Sequence, residues 1–236
     1  MSHFLDISYQ SLNKFGEEIC GDQVKIARTD TKTWVVLSDG LGSGIKASIL
    51  ATLTSQIIIT MLKADAALYD VVETILGTLP ICKVRNIAYA TFTVVEIDHH
   101  SFHFRVMNFD NPETFFFKAG GVQQKIEPKI LNILDKKILL REGMLEEGDF
   151  LAAVSDGVWY AGLGQTFNFG WGWNNIAEFM AEILHSRVNT AQTVVERVLD
   201  YANMLYGSQP GDDATLIGLY LRPRHSAMIF TGPPGT

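Results

Sequence analysis

Residues 35–40 read Val-Val-Leu-Ser-Asp-Gly, an apolar strand that ends in the carboxylate of Asp39. The pattern returns at residues 151–157, Leu-Ala-Ala-Val-Ser-Asp-Gly, where the carboxylate is that of Asp156. Asp212 lies in a Gly-Asp-Asp-Ala-Thr segment that opens a third apolar run. A buried strand holds the carboxylate at its end rigidly, and a neighbouring glycine lets backbone or ligand approach closely. The sequence therefore predicts that three acidic strand ends converge.

Converging carboxylates predict a metal site. Carboxylates at close range repel one another unless cations neutralise them, and Mg²⁺ or Mn²⁺ prefers carboxylate, carbonyl and water oxygens. Taken singly, each Asp-Gly pair is more typical of a turn that closes a strand, whereas the three together favour ligation. For Asp213 we favour a supporting role over ligation, because only one of two adjacent side chains can face inward.

Length and composition favour one domain with a full core. The chain has 236 residues, of which 47% are hydrophobic. Its net charge of −7 and pI near 5.3 argue against a nucleic-acid surface, which needs clustered Lys and Arg. Two cysteines are too few for a disulfide framework or a thiolate zinc site, so we expect a reducing cytoplasm.

No membrane insertion or signal peptide is expected. Residues 1–12 lack a basic segment followed by an apolar one. The most apolar helical candidate, residues 45–62, contains a lysine and several threonines, which indicates a buried core helix.

Hydrophobic periodicity predicts an α+β protein. Helices are predicted after Gly44, across a second segment that ends at Gly77 and Pro80, and at residues 174–186 and 190–205. Short polar connections between the strands favour an antiparallel meander, and antiparallel sheets carrying paired helices give a sandwich. The predicted strands are residues 4–9, 23–29, 33–38, 88–97, 101–109, 113–118, 122–127, 137–141, 150–155 and 216–221.

The composition changes near the C-terminus. We predict one domain over residues 1–221 and a tail over residues 222–236, which reads as the start of a truncated C-terminal region.

Five blocks in this order resemble the metal-dependent serine/threonine protein phosphatases of the protein phosphatase 2C superfamily, specifically the bacterial SpoIIE-like branch. The resemblance covers roughly residues 4–221 and implies a four-layer α-β-β-α sandwich with two central, mostly antiparallel sheets flanked by paired helices. The blocks are Gly21-Asp22, Ser-Asp-Gly-Leu-Gly-Ser-Gly at residues 38–44 with the following Lys-Ala-Ser, Gly-Asp-Phe-Leu at 148–151, Ser-Asp-Gly-Val at 155–158 and Gly-Asp-Asp-Ala-Thr at 211–215.

The resemblance implies a centre of two Mn²⁺ or Mg²⁺ ions. It assigns Asp39 to bridge both ions and the Gly40 carbonyl to ligate one of them. Asp156 and Asp212 match the remaining carboxylate ligands, and Asp22 matches an outer acid that orients the nucleophilic water. Two ions lower the pKa of a water between them and clamp a phosphoryl group, so no protein nucleophile is required.

Two departures from the family pattern concern substrate binding. Eukaryotic members carry a phosphate-gripping arginine shortly before the first acidic motif, whereas residues 14–18 here read Lys-Phe-Gly-Glu-Glu. The SpoIIE-like branch commonly lacks that arginine, which leaves phosphate binding unassigned. Where relatives often have a Gly-His-Pro-like turn, residues 110–112 read Asp-Asn-Pro.

The resemblance implies hydrolysis of phosphoserine or phosphothreonine in bacterial signalling, on a phosphorylated regulatory protein of the STAS-type anti-anti-sigma class. The main alternative is a catalytically weak or inactive module that keeps the fold and binds a signalling partner. A complete set of clustered acids counts against this alternative, because a module without chemistry has no need of them. A third alternative is a metal-dependent hydrolase of a small phosphoester.

Overall fold

The computed structural model describes residues 3–78, 81–82, 87–88, 90–186 and 190–223. The predicted helix end at Pro80 and most of the predicted tail lie outside these residues. The helices are α1 (Gly44–Lys63), α2 (Leu68–Thr78), α3 (Asp156–Trp159), α4 (Gly172–His185) and α5 (Ala191–Leu205). The strands are β1 (His3–Leu12), β2 (Asp22–Arg28), β3 (Lys32–Gly40), β4 (Ile81–Cys82), β5 (Ile87–Ala88), β6 (Ala90–Asp98), β7 (His103–Phe109), β8 (Phe115–Lys118), β9 (Val122–Gln123), β10 (Lys129–Ile133), β11 (Lys136–Met144), β12 (Phe150–Val154) and β13 (Ala214–Pro223).

Two antiparallel sheets form the centre of the domain. Sheet I has the order β10-β11-β7-β6-β3-β2, and sheet II has the order β1-β13-β12-β8-β9. Alternate residues of a strand face opposite sides of its sheet. In β3, Val35 and Leu37 therefore face the layer between the sheets, while Trp34 and Val36 pack in the cluster that includes residues of α1 and α2.

Three hydrophobic clusters fill the spaces between four layers. One lies between the two sheets, a second joins sheet I to α1 and α2, and a third joins sheet II to α4 and α5. The five apolar residues whose helical spacing predicted α2 are all buried. The predicted α+β, four-layer α-β-β-α sandwich is confirmed.

Among the described residues, α1 alone is long and apolar enough to span a membrane by length and composition. In the domain it packs on β2 and β3 through one face, where Ala47, Ala51 and Ile58 are fully buried. Its opposite face leaves Ile45 and Ile49 exposed.

The predicted antiparallel meander is wrong beyond β7, because the chain changes sheets there. Strands β6 and β7 pair in sheet I, but β8 and β9 pair in sheet II and β10 returns to sheet I. The connection after β7 passes through Asp110, whose φ of 50° turns the chain sharply. All three phenylalanines of residues 115–117 are buried, so their pattern does not reveal which sheet they join.

The strand predicted at residues 122–127 is also wrong over most of its length. Strand β9 ends at Gln123, and the unpredicted β10 forms a hairpin with β11. Leu134 and Asp135 adopt φ of 49° and 61° in the intervening turn. Leucine is a rare residue at positive φ, so the turn carries no sequence signal.

Candidate metal centre

Asp22 and Asp39 are direct cross-strand partners on β2 and β3. Asp39 has the same strand parity as Val35 and Leu37, so it extends their inter-sheet face to the end of sheet I. Like charges directly opposite each other destabilise an antiparallel pair. Asp22 is only 3% exposed, and neither of its carboxylate oxygens has a hydrogen-bond partner among the described residues. The sequence predicted both acids but not their pairing.

The glycines beside the acids allow backbones to pack closely. A Cβ atom on Gly40 would lie 2.0 Å from the carbonyl oxygen of Ala47, on the first turns of α1. A Cβ atom on Gly157 would lie 2.1 Å from the carbonyl oxygen of Asp213. Only glycine fits these two positions. The Asp-Gly pairs thus hold α1 against sheet I and α3 against the segment before β13.

Sheet II and its connections supply the remaining acids. Asp156 is the first residue of α3, directly after β12, and Asp212 lies just before β13. With Asp39 and Gly40 they line one open pocket of about 600 Å³, whose wall also includes Lys14 and Asp110. The predicted convergence of three acidic strand ends is therefore present. Asp22 lies behind Asp39 and outside the pocket lining.

Asp213 lies next to the pocket-lining Asp212 and binds backbone groups behind the pocket. Its Oδ1 accepts a hydrogen bond of 3.0 Å from the Lys14 backbone N–H, and its Oδ2 accepts one of 2.9 Å from the Gly21 backbone N–H. Asp213 is 4% exposed. With both oxygens bonded to backbone, it fastens residues 14–21 to the start of β13, in line with the supporting role predicted for it.

Burial and mutual repulsion raise the pKa of the pocket acids. Burial, followed by the charges of Asp22 and Asp156, raises the pKa of Asp39 to about 9. Burial raises the pKa of Asp22 to about 7, and the Ser155 and Thr215 hydroxyls, which lie nearby but outside hydrogen-bonding geometry, oppose the rise.

The pKa values of the two acids next to sheet II, Asp156 and Asp212, are also raised. Burial and the charge of Asp212 raise the pKa of Asp156 to about 6, against a hydrogen bond with Asp39. Burial also raises the pKa of Asp212, although the Asp213 backbone N–H and the Lys14 ammonium oppose the rise. A cation entering the pocket would remove this electrostatic cost.

The donors present fit a hard divalent cation. They are the carboxylate oxygens of Asp39, Asp156 and Asp212, beside the backbone of Gly40. This oxygen-only set suits Mg²⁺ or Mn²⁺, ions that also keep water ligands. Within the described part of the chain, no group of three or more His, Cys, Asp or Glu side chains already surrounds one point. The acids thus line the pocket without closing around an ion.

Two other motifs lie apart from the pocket. Asp149, from the Gly-Asp block, is buried and bound by the Lys118 ammonium at 2.9 Å and by the backbone N–H of Glu146. It therefore stabilises the turn before β12. His99 lies in the turn between β6 and β7, where its Nε2 is 2.8 Å from the Thr33 hydroxyl.

Cys20 lies beside the acids without joining the pocket lining. Burial and the charges of Asp22 and Asp213 raise the pKa of its thiol to about 12. This half-buried thiol therefore remains protonated.

Tyr206 is a neighbour of the acids that sequence reasoning missed. Its hydroxyl donates a 2.6 Å hydrogen bond to the Gly157 carbonyl, and burial together with Asp212 and Asp156 raises the pKa of its phenol. Its position at the end of the amphipathic α5 gave no signal of this contact.

A sequence model of the family described as Stage II sporulation protein E (SpoIIE) matches residues 29–222. No curated protein sequence matches the chain. The solved structures similar to it include the PP2C phosphatase domain of SpoIIE from Bacillus subtilis with a fragment of its regulatory domain, at 18% identity and a TM-score of 0.78. That match covers 95% of this chain and 65% of the other.

Two further structures share the fold. The RsbU and RsbW domains of a Mycobacterium tuberculosis protein match at 19% identity and a TM-score of 0.74, over 94% of this chain and 61% of the other. RsbX in complex with magnesium matches at 19% identity and a TM-score of 0.64, over 92% of this chain and 95% of the other. The chain thus spans less than two thirds of the first two structures.

Proposed function

The chain belongs to the SpoIIE family of PP2C-type phosphatase domains, and from that premise we propose that it hydrolyses phosphoserine or phosphothreonine on a regulatory protein with Mn²⁺ or Mg²⁺. The observation that carries the proposal is the convergence of Asp39, Asp156 and Asp212 on one pocket, with the buried Asp22 directly across the strand pair from Asp39 and without a hydrogen-bond partner among the described residues. Holding these charges together is costly for a protein that does not bind a cation there.

Each acid has a distinct proposed role. Asp39 would contact two ions and the Gly40 carbonyl one, while Asp156 and Asp212 would each hold mainly one. Asp22, buried behind Asp39, would orient water, and Asp213 would keep the pocket wall in place. When bound, the ions would lower the pKa of a water and neutralise phosphoryl charge. The fixed strand ends position these carboxylates before substrate arrives.

The proposed partner is a phosphorylated regulatory protein of the STAS type. This substrate class is what the SpoIIE-like resemblance implies, and the structural similarity to an RsbU domain supports the same signalling context. An open pocket of about 600 Å³ has room for a phosphorylated side chain presented on a protein surface. We propose a cytoplasmic location, with no nucleic-acid partner and no membrane insertion.

A second candidate is a catalytically weak or inactive module that binds a signalling partner. It is favoured by the lack of a preassembled three-ligand group among the residues that the structure describes. The raised pKa values and the two partnerless Asp22 oxygens favour the enzyme, because a binding module could replace these acids at no functional cost.

Turnover of p-nitrophenyl phosphate and of a phosphoserine peptide, with Mn²⁺ and with EDTA, separates the two candidates. The phosphatase requires the metal for turnover, because no protein nucleophile is proposed. Full turnover in EDTA would refute the metal-dependent function. No turnover with saturating Mn²⁺ on either substrate would favour the binding module.

A further inference from the structure

The acidic pocket contains one cationic side chain. Of the described residues that line it, Lys14 alone carries a positive charge, and it faces a wall that includes Asp39, Asp110, Asp156 and Asp212. A phosphorylated substrate entering this pocket is itself anionic. The pocket therefore needs a group on the protein that favours a phosphate over another anion or a neutral side chain.

Backbone hydrogen bonds on both the amide and the carbonyl side of Lys14 hold its backbone in place. Its N–H donates to Asp213 Oδ1 at 3.0 Å, and the next N–H, of Phe15, donates to the Pro210 carbonyl at 2.8 Å. The Lys14 carbonyl in turn accepts a 2.9 Å hydrogen bond from the Glu17 N–H. These bonds fix the point from which the side chain extends, so the buried Asp213 positions Lys14.

The ammonium of Lys14 is weakly engaged. Its Nζ lies 4.0 Å from Asp212 Oδ1, which is an ion pair without a hydrogen bond. Both side chains are more than a third exposed, so the pair contributes little to stability. None of the described hydrogen bonds uses this Nζ, and its three donors are free to meet an incoming oxygen.

We propose that Lys14 binds the phosphoryl group of the substrate. The inference rests on the proposed function, and it assigns to this lysine the contact with phosphoryl oxygens that the acidic wall cannot make. A lysine ammonium is a compact point charge that suits the rotating oxygens of a phosphate monoester. Because it contacts the phosphate both before and during hydrolysis, it contributes mainly to substrate affinity.

The test compares Lys14→Met, which keeps the apolar stem and removes the charge, with Lys14→Arg, which keeps the charge. Lys129→Met is the matched control, since Lys129, on β10, pairs with Glu142 and lies outside the pocket lining. The measurements at saturating Mn²⁺ are kcat and KM for p-nitrophenyl phosphate, the inhibition constant of inorganic phosphate, and phosphate binding by calorimetry.

Loss of one charge-assisted hydrogen bond weakens binding roughly tenfold. We expect Lys14→Met to raise KM, the phosphate inhibition constant and the calorimetric Kd by about that factor with kcat little changed. Lys14→Arg should stay closer to wild type, and Lys129→Met should match wild type. Thermal melts of the variants verify that each is folded.

Unchanged phosphate affinity in Lys14→Met, together with tighter Mn²⁺ binding, would overturn the inference, because Lys14 would then only offset the charge of Asp212. The proposed function fails differently: wild type would show no Mn²⁺-dependent turnover. If wild type is active and Lys14→Met binds inorganic phosphate with unchanged affinity, the proposed role of Lys14 is refuted and the proposed function still stands.

Discussion

Two groups of buried carboxylates in sheet I are built in opposite ways. Glu96, on β6, is 6% exposed and accepts hydrogen bonds from Trp34 Nε1 at 2.8 Å and Arg105 Nε at 2.9 Å, with the Lys32 ammonium at 3.4 Å. Burial alone would raise its pKa, but Arg105, Trp34 and Lys32 together lower it. We call these four residues the compensated cluster.

At the other end of β3, Asp22 is buried to a similar degree and has no hydrogen-bond partner among the described residues, and the pKa values of Asp39, Asp156 and Asp212 are raised. Burial of a carboxylate is therefore not what marks the candidate site. What marks the candidate site is a buried carboxylate without a hydrogen-bonding or cationic partner. Native proteins pair their buried charges unless a ligand supplies the partner.

The largest expected effect is on turnover of Asp39→Asn. This change removes the carboxylate assigned to both ions, so kcat/KM with Mn²⁺ should fall on the order of a thousandfold or more. Asp156→Asn and Asp212→Asn should also be severe. Glu96→Gln is the matched control from the compensated cluster and should keep near wild-type turnover. Wild-type Mn²⁺ affinity in Asp39→Asn, measured by calorimetry, would contradict the assignment.

The compensated cluster should show its effect in stability. Glu96→Gln weakens the bonds from Arg105 and the attraction of Lys32, and it turns an amide donor toward groups that are themselves donors. We expect a loss of roughly 1–3 kcal/mol in the free energy of unfolding. Urea denaturation measures it. An unfolding free energy equal to that of wild type would mean that the cluster is not a stabilising network.

Asp213→Asn should have an intermediate effect on turnover. Asparagine can accept from only one of the backbone N–H groups of Lys14 and Gly21 and presents an amide donor to the other. Turnover should fall about tenfold through the loosened pocket wall. Calorimetry should show Mn²⁺ affinity closer to wild type than in Asp39→Asn. A loss as large as that of Asp39→Asn would instead make Asp213 a ligand.

The sequence predicted the parts of the site that depend on strand ends. Asp39, Asp156 and Asp212 converge because each follows or precedes an apolar strand, and strand position is readable from apolar runs. The pairing of Asp22 with Asp39 was not predicted, because it depends on the register of β2 against β3. A shift of one residue would separate these side chains.

Contacts between segments distant in sequence could not be predicted from sequence patterns either. Asp213 and Lys14 are 199 positions apart, and only the folded chain places a carboxylate on that backbone N–H. The change of sheets after β7 was missed for a related reason. Strand β8 has apolar residues on both faces, so it could be buried in either sheet and its sequence pattern does not indicate which one it joins.

The smallest expected effect is on the stability of the metal-free protein. A carboxyl group whose pKa is higher in the folded chain than in the unfolded chain stabilises the fold at low pH, and this contribution is lost as pH rises through the folded pKa. For Asp156, Asp22 and Asp39 those values are about 6, about 7 and about 9, against an ordinary value of 3.8. Glu96, whose pKa is lowered, loses its contribution only in acid, below this window.

Metal-free wild type should therefore melt progressively lower between pH 6 and pH 9 in EDTA, as the pocket acids ionise against one another. Asp39→Asn resembles the protonated acid at every pH, so it should match wild type only near pH 4, where Asp39 is protonated in both the folded and the unfolded chain. At pH 9 the variant should melt about 2–4 °C higher, equivalent to about 1 kcal/mol. Saturating Mn²⁺ should reverse the order, because the cation binds the folded wild type more tightly than the variant. Identical wild-type and variant melting at pH 9 in EDTA, and equal shifts with Mn²⁺, would mean that Asp39 shares no site with the other acids. The difference between the partnered Glu96 of the compensated cluster and the pocket acids would then not indicate a functional site.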